Sequence, residues 1–295
     1  MRWLCVLCLL VSATARAEIQ VRDSAGRTVS LDAPAERIVA LAPHIVENLF
    51  SAGAGAKLVG TVDYADYPAQ ARDIARLGSA YAWSLESVVA MAPDLVVLWG
   101  SGNGMSALPQ LERMGLTVYV SEPRVLDDIS ASIRDFGLLA GTTETAEKNA
   151  SHFDSTMDAL SGQYSQRTQL SVFYQIWNSP LQTINGEHMI SAVIELCGGR
   201  NVFADTQQLA PQVSLESILE RDPDAIVASG MGESRPEWLD TWRQYPQLAA
   251  VQSGALLHIH PDLIQRPTMR IAQGAESLCS QLDTCLLYTS DAADD

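Results

Sequence analysis

Apolar and polar positions along this chain fall into two similar halves. Residues 37–41, Arg-Ile-Val-Ala-Leu, form a continuous apolar run of the buried-strand type. A helix is predicted over about 44–52, halted by Gly53-Ala54-Gly55, with a second strand over 57–62. The second half repeats the order. It predicts a strand over 170–176, a helix over 189–196 stopped by Gly198-Gly199, and the short run Asn201-Val202-Phe203. The echo then becomes literal. Residues 84–97 read SLESVVAMAPDLVV and residues 214–227 read SLESILERDPDAIV, identical at seven of fourteen positions at an offset of 130.

Each half therefore alternates strand and helix, the pattern of a parallel sheet with helices on its faces. Between the halves, apolar residues recur at helical spacing and are interrupted only around Gly141-Thr142-Thr143. The expected fold is α/β: two similar open parallel-sheet lobes, 18–124 and 168–284, joined by one long connecting helix over 125–167, with a ligand cleft between the lobes. A single stiff crossing limits hinge motion. Ligands of such sheets sit beyond the carboxyl ends of the strands. The residues falling there are His44, Asp63-Tyr64 and Trp99 in the first half, and Trp177 and Asp262 in the second.

Composition narrows the role. The 295 residues exceed what one core usually serves, which agrees with two lobes. A hydrophobic content of 47% excludes disorder, and a formal net charge of -16 excludes a nucleic-acid surface and disfavours anionic lipid. The chain opens Met1-Arg2, continues with an apolar stretch over 3–11 and ends it with an A-x-A pattern at Ala15-Arg16-Ala17. That describes a cleavable secretory signal over 1–17, too short to span a bilayer. Export places Cys197, Cys279 and Cys285 in an oxidising compartment, so one disulfide with one cysteine over is expected. The last segment, CLLYTSDAADD over 285–295, continues no pattern and is read as a non-native tail.

No G-x-S-x-G, H-E-x-x-H or P-loop occurs, and nothing pairs a nucleophile with a base; the expected role is not enzymatic. Gly100-Ser101-Gly102-Asn103-Gly104 departs from a dinucleotide fingerprint and reads as a flexible rim loop. His258 and His260 share one strand face but lack further ligands, so no metal is expected. The aromatics say more: Tyr64, Tyr67, Tyr81, Trp83 and Trp99 cluster at strand ends of the first half, and Trp177 matches them in the second. Together they suit a large, flat, partly apolar ligand. Glu86 and Glu216 hold one place in the two repeats. Either alone only favours its helix dipole, whereas as a pair they present two matched negative points to a symmetric partner.

With these residues in hand, the chain resembles the periplasmic cobalamin-binding proteins of ABC-type vitamin importers, relatives of siderophore and haem receptors. The resemblance runs from about Arg37 to Cys279. It is carried by RIVALAPHIVENLFSAGAGAKLVGTVDYADYPAQ, WSLESVVAMAPDLVVLWGSGN, ELCGGRNVF, PQVSLESIL and DLIQRPTMRI. It implies a corrinoid as transported ligand, no cofactor, an inner-membrane permease as partner, a periplasmic location and a monomer. Carried onto this chain, the ligand contacts are Tyr64, Trp99, Asp262 and Arg266, the permease-docking carboxylates Glu86 and Glu216, and the disulfide Cys197–Cys279. Tyr81 substitutes for a family tryptophan falling near Ala80. Two second-lobe aromatics are absent near Gln182 or Thr183 and at Ala210, where Trp177 compensates, and His44 joins the contact set. The alternative is a siderophore, haem or other metal-chelate receptor, with Arg266 and His44 on an anionic or metal-centred ligand. An exported two-lobe enzyme would have only His44, Asp262 and Arg266 to work with.

Overall fold

A computed structural model describes residues 18–230 and 234–291; the predicted signal at 1–17 lies outside them. The first lobe runs β1 (Ile38–Ala40), α1 (Pro43–Ser51), β2 (Leu58–Gly60), α2 (Leu85–Ala90), β3 (Leu95–Trp99) and β4 (Val118–Ser121). Two helices follow, α3 (Asp127–Ala140) and α4 (Thr143–Tyr164). The second lobe runs β5 (Leu170–Gln175), α5 (Met189–Leu196), β6 (Gly199–Asn201), α6 (Leu215–Arg221), β7 (Ala225–Ala228), β8 (Leu256–His258), α7 (Pro261–Ile264) and α8 (Ile271–Asp291).

Both four-stranded sheets are parallel and share one strand order, β2-β1-β3-β4 and β6-β5-β7-β8. Sheets covered on both faces need apolar strands, and β1, β3 and β7 are buried almost throughout. The repeat extends to backbone detail. Ser84 caps α2 by accepting from the Ser87 amide, and Ser214 caps α6 by accepting from that of Ser217. After each helix a non-glycine residue enters the left-handed region just before a proline, Ala92 at φ 44° and Asp222 at φ 38°, again 130 residues apart.

The predicted connector needs correction. Its 125–167 span is two helices, not one, because Gly141 turns left-handed (φ 69°) and the chain reverses. α3 returns along α4 closely enough that a Cβ on Gly137 would lie 2.2 Å from that of Ala146. Arg134 ties the pair by bonding Glu147 and Asp154, each at 2.9 Å. α3 thus belongs to the first lobe, and the one long helix that joins the lobes is α4, 22 residues or roughly 33 Å.

A single apolar core runs through both lobes along this helix and includes Ile45, Leu49, Phe136, Phe153, Val172, Ile194 and Leu278. Separate clusters fill the outer face of each sheet. Cys197, at the end of α5, is disulfide-bonded to Cys279 on α8. α8 runs on past Cys285 to Asp291, and Cys285 and Leu286 pack against the common core.

Candidate functional site

Three of the aromatics singled out by position converge beyond the first sheet. Trp99 ends β3, Tyr64 follows β2, and Tyr81 lies on the turn before α2. With His44, Asp63, Ala80, Gln265, Arg266 and Pro267 they wall a cavity of about 250 Å³. Tyr64 and Tyr81 are each 78% exposed, so their rings are available rather than spent on the core. Tyr64 sits at φ 63°, a conformation that a bulky residue adopts only under constraint. The Trp99 ring meets His44 edge-on at 5.1 Å and Tyr81 at 6.2 Å. The other two first-lobe aromatics do not join them: Trp83 packs on the sheet core, and Tyr67 lies beneath the Arg270 guanidinium.

Residues not singled out by sequence hold this wall. Asn103 Oδ1 accepts from the Trp99 amide at 2.6 Å, while its Nδ2 donates to Leu41 O and Ala80 O. One side chain thereby ties together the ends of β1 and β3 and the Tyr81 turn. The expected flexible loop over 100–104 is instead a helical turn, Gly100–Asn103, closed by those bonds. Trp99 lies flat across Gly102, where a Cβ would come within 1.9 Å of the ring.

A second cavity of about 500 Å³ continues from the first, sharing Trp99, Gln265 and Pro267. Glu122, Arg124 and Val125 of the first lobe face Glu187, His188, Leu209 and Ile264 of the second across it. Gln265 stands at the junction, its Nε2 donating to Ser229 Oγ and Gly230 O. The two cavities form one cleft between the lobes, with Trp99 as the divider.

The floor is a charged network that crosses the lobes. Arg266 Nη1 contacts Glu47 Oε1 at 2.8 Å and Asp66 Oδ1 at 3.2 Å, and Nη2 contacts Asp262 Oδ1 at 3.3 Å. Arg270 reaches Glu47 and Asp262 more loosely, at 3.6 and 3.7 Å. Asn48 adds a neutral tie by donating to Pro267 O at 3.0 Å. Glu47 is only 3% exposed and its Oε2 lacks a hydrogen-bond partner. Burial raises its carboxyl, against the opposing pull of Arg266 and Arg270. Burial acts to lower Arg266 too, but Glu47, Asp262 and Asp66 outweigh it and the guanidinium is held charged. His44, buried beside Trp99, is pushed down to about 3, by burial first and the Arg266 charge second, so it is neutral at physiological pH.

The other residues to which the sequence points are more dispersed. Asp262 lies in the first turn of α7 and walls neither cavity; it steadies the two arginines. Trp177 sits on a two-residue hairpin strand, 39% exposed, with its indole nitrogen donating to Ser179 O, and it also walls neither cavity. His260 caps α7 through Nδ1, and among the described residues no group of three His, Cys, Asp or Glu could hold a metal. Glu86 and Glu216 occupy matching exposed places in the first turns of α2 and α6. The Glu216 carboxyl is lowered by its own backbone amide and by Ser214.

Comparison with known proteins places these features in a family. The family described as periplasmic binding protein matches residues 38–263. The chain is 34% identical to the vitamin B12-binding protein of Vibrio cholerae over 249 residues, covering 84% of this chain and 90% of that one. It is 33% identical over 254 residues to the vitamin B12-binding protein of Photorhabdus laumondii, covering 86% and 90%. The crystal structure of the periplasmic vitamin B12 binding protein of Vibrio cholerae superposes with a TM-score of 0.78 at 33% identity, covering 86% of this chain and 98% of that one. The periplasmic haem-binding protein of Roseiflexus sp. RS-1 has the same fold, with a TM-score of 0.74 at 20% identity over 85% and 98%.

Proposed function

The chain belongs to the periplasmic binding protein family, and from that premise we propose that it captures a corrinoid, vitamin B12 or a near analogue, between its lobes. It then delivers this cargo to a membrane importer. The observation that carries the reading is the ring wall of Tyr64, Tyr81 and Trp99 at the mouth of an interlobe cleft. A corrinoid is a broad disc with an apolar face and an amide rim. Exposed rings suit the face, and Gln265 and the cleft polar groups suit the rim. His44, held neutral, adds a ring edge rather than a charge. Tyr64, Tyr81, Trp99, Arg266 and His44 line the ligand site in this reading; Asp262 acts behind Arg266, and Trp177 flanks the second lobe.

Export by the segment over 1–17 brings the chain to the periplasm, and the Cys197–Cys279 disulfide suits that compartment. Glu86 and Glu216 are the docking points for basic residues of the permease. Their repeated caps and matched exposure present two negative points in equivalent settings on the two lobes.

Calorimetric titration of the purified protein with cyanocobalamin tests the reading, with haem and a ferric siderophore as controls. The expected result is saturable one-to-one binding of cyanocobalamin, weakened about tenfold or more by Trp99→Ala, which removes one ring of the wall. Uptake of haem or siderophore in its place moves the assignment to the chelate receptors, which share this fold.

A further inference from the structure

Arg266 is a cation at the wall of the binding cavity, yet its charge is already balanced before any ligand arrives. Its partners come from both lobes: Glu47 and Asp66 from the first, Asp262 from the second. Counted with Arg270, the cluster holds three carboxylates against two guanidiniums, a formal excess of one negative charge. Glu47 is not placed for contact with cargo. It is buried under Arg266, walls neither half of the cleft, and contacts both arginines.

We infer that Glu47 and Asp66 are specificity-determining positioning residues: by occupying Arg266 they turn the cleft floor into a charge filter that rejects carboxylate-bearing ligands and admits a neutral, amide-rimmed one. This deepens the corrinoid reading and rests on it. An anionic ligand approaching Arg266 has to displace a carboxylate that is already bonded or add a further negative charge to the cluster. Either costs far more in a partly buried site than in water. An amide rim meets no such opposition, because it can donate to the carboxylates as readily as it accepts from the guanidinium. Exclusion by an unfavourable element, rather than extra attraction to the right partner, is a general route to discrimination.

A matched pair of probes isolates charge from shape. Cyanocobalamin is neutral overall, and hydrolysis of one peripheral amide yields a monocarboxylate of nearly the same outline. The full-length protein is titrated with both, alongside Glu47→Gln/Asp66→Asn and the milder Asp66→Asn, whose side chain is half exposed. The native protein should prefer the amide by about tenfold or more, and the double variant should narrow that preference at least about fivefold, most strongly at low salt. Asp66→Asn alone should narrow it about twofold and serves if the double variant fails to fold. An unchanged ratio in folded protein overturns the inference. If the native protein binds neither corrinoid, the ligand assignment has failed instead, and the filter is read with haem, whose two propionates make it anionic. Tighter haem binding by the double variant than by the native protein then supports the filter, and equal or absent haem binding by both overturns it.

Discussion

Trp99 is held in place as much by what its neighbours lack as by what they supply. Its ring occupies the volume that a side chain at position 102 would fill, and its amide is fixed by Asn103. Gly102→Ala should therefore displace the ring without touching ligand, and weaken cyanocobalamin binding about tenfold, close to the effect of Trp99→Ala; calorimetry on the two variants checks it. His44 supplies a second prediction. Its folded value of about 3 lies below the ordinary 6.5, so between those limits the unfolded chain binds more protons than the native one. Its contribution to stability is complete above about pH 6.5 and is lost as pH falls toward 3. Glu47, raised by burial, acts in the opposite sense, with a contribution lost as pH rises through its folded value. In urea unfolding followed from pH 7 to 4, His44→Gln should flatten the acid loss by at most about 1.4 kcal/mol per pH unit. An unaltered slope would show that the imidazole is not the group responsible.

The elements were legible in the sequence wherever hydrophobic periodicity and a capping signal agreed. The SLES segments begin α2 and α6 as read, because serine at the cap and apolar residues behind it are local facts. The connector was less legible. Gly141 marks a disruption, but whether a chain kinks or reverses there depends on Gly137 meeting Ala146 and Arg134 meeting Glu147, which are tertiary events. Asn103 and Glu47 were missed for the same reason. Asn103 sits in a glycine-rich run that reads as a loop, and Glu47 sits at a helix position whose burial comes from Arg266, 219 residues away. Trp177 shows the converse: a residue placed by strand-end position whose side chain turns to its own hairpin. The Cys197–Cys279 bond closes a separation of 82 residues and binds α5 to α8. Replacing both cysteines by alanine should cost about 2–4 kcal/mol in urea unfolding, with no loss of far-ultraviolet helix signal in the folded state.

At the level of the whole molecule, the repeat gives each lobe the same sheet order and the same exposed carboxylate one turn into an equivalent helix. Neither Glu86 nor Glu216 walls the cleft. Reversing both, Glu86→Lys with Glu216→Lys, should abolish transport in a reconstituted importer while cyanocobalamin affinity of the purified protein changes less than about twofold. Equal loss of both would remove these residues from the docking role. The acidic surface, -16 overall, makes the same encounter dependent on salt.

The chain passes from the first sheet to the second once, along α4, and the lobes on either side already share an apolar core and the Arg266 network. Because these ties already join the lobes, the closure expected on binding is small. Loading should behave as a simple bimolecular event, its observed rate rising in proportion to ligand concentration without a plateau in stopped-flow traces. Departure on the same expectation needs little opening, so the lifetime of the loaded protein should depend on contacts in the cleft. A permease docked at Glu86 and Glu216, as proposed, would shorten that lifetime by forcing the two halves apart against the core they hold in common.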